Sequence, residues 1–167
     1  MNTTIVDTRE LFVKMAVSGW DAQVMRVSKL IDALTDEQLS ADTAPGRNSG
    51  TYLLGHLVAV NDNILELMGW DKKQYPELEN IFLRTPDKSG LPMPPLSTLR
   101  QYWKDINAKI SKHIHEMSPD DWFTRHTAVS EEDFAKEPHR NKLNIILSRT
   151  THTSSHLGQL VYLAPRK

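Results

Sequence analysis

The sequence predicts an all-α fold, a four-helix bundle with a long crossover between its second and third helices. Two observations carry that reading. Apolar residues recur at intervals of three and four over four long segments, the spacing that lays one stripe along an α-helix. The two halves of the chain also share a pattern: a long helix, a capped turn, a loop, then a helix bearing histidine, which suggests a pseudo-two-fold arrangement. The 167 residues suffice for one domain with a sizeable core and are too few for two ordinary ones, so residues 1–167 read as a single domain.

The first helix runs from about Thr8 to Leu34, with Val13, Ala16, Val17, Trp20, Val24, Val27, Ile31 and Leu34 as its stripe. Gly19 inside it costs roughly 1 kcal/mol relative to alanine, which points to a close approach by a neighbour. Thr35-Asp36-Glu37-Gln38 has the form of a capping box opening one short turn, and Ala44-Pro45-Gly46-Arg47-Asn48 then breaks the chain. Ser49 caps the second helix, about Gly50 to Met68, which carries Leu53, His56, Val60, Ile64 and Leu67 on a single face, with Tyr52 and Asn63 beside His56. Residues 69–95 hold Gly90 and five prolines (Pro76, Pro86, Pro92, Pro94, Pro95), with weak periodicity only around Glu77 to Leu83. A connection of that length can return the chain along a whole helix, so the third helix need not run antiparallel to the second.

The third helix, about Ser97 to Met117, has Leu99, Trp103, Ile106, Ile110, Ile114 and Met117 as its core stripe and Ser97 as its cap. His113 lies at the edge of that stripe and His115 points away from it. Ser118-Pro119-Asp120-Asp121-Trp122 repeats the capped turn, with proline at the first helical position and early acids that suit the helix dipole. The polar stretch from Phe123 to Arg140 reads as a loop in which His126 and His139 are solvated. The fourth helix begins near Asn141 and is stopped by Ala164-Pro165.

Charge and composition narrow the function. A net charge of −1 with interspersed signs provides no field for a phosphate backbone, and the basic runs are only Lys72-Lys73 and Arg166-Lys167, so nucleic acid is not an expected partner. With no cysteine, the chain offers neither disulfides, thiolate ligands nor a cysteine nucleophile, and any thiol chemistry needs an external thiol. Met1 to Asp7 is polar and lacks the apolar core of a signal peptide, and no run of about 18 apolar residues occurs, so a cytoplasmic protein away from the membrane is expected.

The chemistry concentrates on the fourth helix. Relative to His152, the residues Ile145, His156, Gln159 and Leu163 fall within about 40° on a helical wheel, with Arg149 and Leu160 at the edges, so both imidazoles are expected on the buried face. Two histidines four apart reach one ion from successive turns. Each histidine alone has a plainer reading as a hydrogen-bonded core residue. With His56 from the second helix, three neutral imidazoles can converge and leave a fourth coordination position open, which suits catalysis or ligand capture on zinc, nickel or iron. The second residue of the pair's motif is Thr153 and not the general-base glutamate of zinc proteases; the residues three before each histidine are Leu53, Arg149 and Thr153, not the glutamates of di-iron bundles.

Leu54-Gly55-His56-Leu57 and His152-Thr153-Ser154-Ser155-His156-Leu157-Gly158-Gln159, with the turn after each odd-numbered helix, resemble the DinB/YfiT-like superfamily of small metal-dependent four-helix bundles, over essentially the whole chain. By position, the resemblance implies His56, His152 and His156 as metal ligands and Gln159 as a neighbour that orients one of them; Leu157 stands where members often carry arginine. Because some relatives transfer low-molecular-weight thiols, it implies a divalent transition metal, zinc or nickel before iron, and transfer of a small thiol to an electrophilic small molecule. Metal-dependent hydrolysis, or a binding module with a structural metal, are the alternatives. Arg149 is the candidate for an anionic group of the substrate, against a plainer reading as a solvated or ion-paired arginine. Pairing of two copies through exposed helix faces is a further expectation.

Overall fold

The computed structural model describes residues 7–165; the N-terminal stretch read for a signal peptide lies outside them up to residue 6, as does the Arg166-Lys167 pair. In order, the chain forms α1 (Thr8–Ala33), the short α2 (Asp36–Ser40), α3 (Gly50–Leu67), α4 (Leu96–Glu116), the short α5 (Glu131–Lys136) and α6 (Lys142–Leu160), with no strand among the described residues. It is the all-α bundle that the periodicity predicts, built on α1, α3, α4 and α6.

Several helix ends are written locally. The Asp7 carboxylate accepts from the Arg9 amide at 2.9 Å, Thr35 and Gln38 close a reciprocal capping box, and Ser49 accepts from the Tyr52 amide at 3.2 Å. Each satisfies an amide that the helix cannot pair internally. Ser97 does not cap α4. It lies inside the first turn behind Pro95, whose fixed φ of −54° sets the entry and whose side chain makes no capping bond.

Interhelical bonds settle the directions. The Arg100 guanidinium, at the start of α4, donates to the carbonyls of Ile31 and Leu34 at the end of α1, while Arg9 meets Asp120 at the other end, so α1 and α4 are antiparallel. Asn61 donates to Asn107 at 3.0 Å, and Trp70 stacks on His113 further along both chains, so α3 and α4 are parallel. Leu163, just past α6, packs on Gly50 at the start of α3, which makes that pair antiparallel.

The crossover accounts for the parallel pair by climbing back along α3. The buried Asp62 carboxylate accepts from the amides of Gln74 and Tyr75 at 2.7 and 2.8 Å, and Tyr75 stacks on Tyr102 with ring centroids 3.8 Å apart. Leu78 and Phe82 are fully buried, the latter in a π-helical turn, Asn80–Arg84. Because α4, α6 and the crossover all lie on α3, that helix is buried nearly all round, including Leu54, Leu57, Val58 and Leu65, and not on the single face that its periodicity suggests. A stripe reports the most buried side of a helix and is silent on how many neighbours cover the others.

Two further expectations change. The stretch after Phe123 is not a plain loop: Ser130 caps α5, Thr127 donates from its amide and hydroxyl to the carbonyls of Leu67 and Glu66, and His126 is buried in the process. The last carbonyls of α3 need donors, and this segment supplies them. Gly19 meets no close neighbour either, since a Cβ there would stand 3.9 Å from the Thr150 methyl, an ordinary contact.

Gly55 is different. A Cβ on it would overlap the ring of Phe82. Gly55→Ala is therefore expected to destabilise the protein by roughly 1–3 kcal/mol through overpacking, whereas Gly19→Ala should stabilise it by roughly 0.5–1 kcal/mol through helix propensity. Urea unfolding of the two variants beside wild type measures both, and equal effects would contradict the packing described.

Candidate metal centre

His56 comes from the middle of α3, and His152 and His156 from successive turns of α6, the antiparallel neighbour. The structure brings the three rings together. His152 Nε2 lies 3.1 Å from His56 Nε2 and 3.1 Å from His156 Nε2, and the three candidate ligand atoms fall within 4.8 Å of one another. Nitrogens held about 2.0–2.1 Å from one ion at near-tetrahedral angles stand roughly 3.3 Å apart, so the spacing fits a single shared cation.

The outward nitrogens decide the tautomers. His56 Nδ1 lies 2.8 Å from the Phe82 carbonyl and His156 Nδ1 lies 2.7 Å from Gln159 Oε1, both acceptors, so each Nδ1 carries the proton and each Nε2 presents a lone pair inward. His152 has a buried Nδ1 with no partner among the described residues. Its single proton can serve only one ring nitrogen, so the inward-facing lone pairs outnumber the available donors. A cation resolves that imbalance, and the three residues fit one.

Burial acts in the same direction. The His152 imidazole is pushed down to about 4, first by desolvation and then by His156, His56 and Arg149. His56 is also lowered, chiefly by burial, although the Phe82 carbonyl partly opposes this. Neutral rings are the form in which histidine binds metal.

The site is not sealed. All three histidines are only half-buried, because the buried face of α6 is centred on Leu143, Ile146, Thr153 and Leu160. That face lies about 100° round the helix from His152 at Thr153. The histidines therefore occupy a shoulder of α6, and Gln159, expected on the core side, is exposed. An apolar stripe would bury the rings, whereas a shoulder keeps one side of the cluster within reach of solutes.

Arg149 is part of the surroundings. Its charge bears on both His56 and His152; its Nε is buried without a hydrogen-bond partner, and no carboxylate pairs with it among the described residues. Burial pulls the guanidinium below its ordinary value, yet a guanidinium keeps its proton in a protein. Tyr52 stacks near His56 with centroids 6.4 Å apart and donates to the Thr85 carbonyl at 2.7 Å.

The remaining histidines stay away from the cluster. His113 stacks on Trp70 at the far end of α4, His115 is exposed and bonds the Ser111 carbonyl, and His139 is exposed. His126, expected in solvent, is buried and lowered by desolvation, but lies in the segment that caps α3. Sequence reasoning missed Phe82, whose contribution is a backbone carbonyl. Gly55, directly before His56 in mid-helix, was the available signal for its close approach.

These features define a class: a helical bundle with three converging histidines that could hold a metal ion. The chain matches the DinB superfamily over residues 20–160 and belongs to it. No curated protein matches the chain.

The lowered histidines make the metal-free protein acid-sensitive. Unfolded, the His152 ring takes its proton near 6.5, and folded only near 4. Between those values the unfolded chain binds more protons, so stability falls as pH falls from about 6.5 to about 4. Chelator-treated protein unfolded by urea across that range should show the loss, with a shallower slope for His152→Asn; identical slopes would contradict the burial of His152.

Proposed function

We propose that the protein is a metal-dependent enzyme in which His56, His152 and His156 hold one divalent transition ion, with zinc or nickel preferred and iron tolerated, and transfer a low-molecular-weight thiol to an electrophilic small molecule. The observation that carries this reading is the convergence of three neutral Nε2 atoms on a shoulder of α6, with the outward nitrogens of His56 and His156 already committed as donors. Three protein ligands leave a position for an exogenous one. An ion bound there favours the thiolate of an incoming thiol at neutral pH.

The chain's own residues supply the rest. Three imidazoles bring no negative charge, so a divalent ion keeps its full charge, and Arg149 adds another with no acid paired to it among the described residues. Such a pocket selects an anionic partner, and a small thiol that also bears a carboxylate satisfies both charges. In the transfer, the thiol sulfur forms a bond to the electrophilic carbon, the leaving group departs with the bonding pair, and the thiol proton goes to solvent. The cluster contains no carboxylate among the described residues. An ion there would lower the pKa of bound water as well as of a thiol, so the net positive charge, which suits an anionic thiol, is what favours thiol transfer over metal-dependent hydrolysis.

Alanine at His56, His152 or His156 is expected to abolish stoichiometric metal, measured by elemental analysis, while alanine at His115 or His139 leaves it at about one per chain. With cobalt(II) in the site, a small carboxylated thiol should produce a sulfur-to-metal charge-transfer band. Arg149→Ala should weaken that thiol's binding about tenfold or more, and should affect an uncharged thiol much less. A cobalt spectrum indifferent to several thiols while the metal stays bound would rule out thiol transfer and leave hydrolysis or a structural metal.

A further inference from the structure

A cavity of about 290 Å³ opens beside the first turn of α3, lined by Tyr52, Ile81, Leu91 and Met93, with the turn 86–90 of the crossover as its rim. It shares a wall with the metal centre. Tyr52 stands one helical turn before His56 with its ring stacked on that imidazole, and Ile81 directly precedes Phe82, whose carbonyl holds the same imidazole. The Tyr52 hydroxyl is already taken by the Thr85 carbonyl at 2.7 Å.

The charged side chains of the rim are engaged as well. Asp87 accepts from the amides of Ser49 and Lys88 at 2.7 and 2.8 Å, through one carboxylate oxygen each, and the Lys88 ammonium donates to Asp42 at 2.6 Å and to the Arg47 carbonyl at 3.2 Å. What the lining still offers is apolar. Leu91 and Met93 are 38% and 37% exposed and Ile81 is half-buried, so apolar surface meets water there. Covering that surface with an apolar group is favourable in proportion to its area, whereas an ionic group would have to displace bonds that the rim has already made. A cavity of this volume is at the small end of ligand sites, so it suits one part of a small molecule.

We propose that this cavity takes the uncharged, apolar end of the electrophile, a short alkyl chain or a single aromatic ring, while the reactive carbon reaches the metal centre past Tyr52. The inference rests on the thiol-transfer reading above and adds the class of its second substrate. Charge sorts the two reactants: the anionic thiol goes to the ion and Arg149, and the neutral electrophile goes to the crossover side, where no free charge lines the cavity. They meet at the His56 ring, which belongs to the cluster and is bounded by Tyr52 and the Phe82 carbonyl. The bond change is the one already given, sulfur to carbon, with the leaving group taking its electron pair and the thiol proton going to solvent.

Two measurements on the full chain test this, one of them without metal. With isotope-labelled methionine methyls, titrating the metal-free protein with 1-hexanol should shift the Met93 resonance saturably and leave that of the exposed Met25 in place. With cobalt(II) bound, the affinity of n-alkyl hydroxamates, from acetohydroxamate to hexanohydroxamate, should rise about two- to fourfold with each added methylene, because the head group takes the open metal position and the chain enters the cavity. Leu91→Asn, at an exposed position, should flatten that rise and leave acetohydroxamate binding unchanged. A Met93 resonance that moves no more than Met25, or a chain-length series that is flat in the wild type, would overturn the proposal. A cobalt spectrum indifferent to every hydroxamate would instead overturn the open metal position, and the Met93 titration would then decide the cavity alone.

Discussion

Phe82 ties the fold to the site through two parts of one residue. Its ring lies on the bare backbone of Gly55, and its carbonyl accepts from His56 one position further along α3. The same strip of crossover is fastened at two more places, where Tyr52 donates to the Thr85 carbonyl and the Ser49 amide donates to Asp87 at 2.7 Å. The N-cap and first two turns of α3 are thus met by one returning segment. Without that segment His56 would have no fixed tautomer, α3 would expose Gly55 to water, and the chain could not arrive at the start of α4 running parallel to α3.

The cluster depends on this arrangement because its chemistry requires neutral, oriented rings. Desolvation removes the tendency of His152 to protonate, and the outward hydrogen bonds of His56 and His156 direct lone pairs inward. Both effects would be weaker on a solvated helix, where water would supply partners to every nitrogen. Full burial would also fail, since it would shut out a ligand. The shoulder position of α6 lies between these limits, and it leaves Arg149, its Nε unpartnered among the described residues, beside the cluster.

Much of this could be read along the chain. Helical periodicity, the Thr35–Gln38 box, the Ser49 cap and the four-residue spacing of His152 and His156 are local properties, determined by neighbours within a turn or two. Membership of the DinB superfamily rests on the same kind of information. Local signals misled where a distant segment intervened, as at His126, buried by the capping of α3, or where a stronger local constraint won, as at Ser97, which lies inside the helix that Pro95 opens.

The sequence by itself determined which faces are apolar, where helices begin, and that three imidazoles were available to meet. Tertiary structure alone decided that α3 and α4 run parallel, that the histidines sit on a shoulder and not in the core, and that the Phe82 carbonyl selects the His56 tautomer. The physical reason is range. Periodicity and capping are set by bonds that span three or four residues, whereas burial and tautomer depend on which segment, 26 positions away for Phe82 and 96 for His152, is packed against the ring.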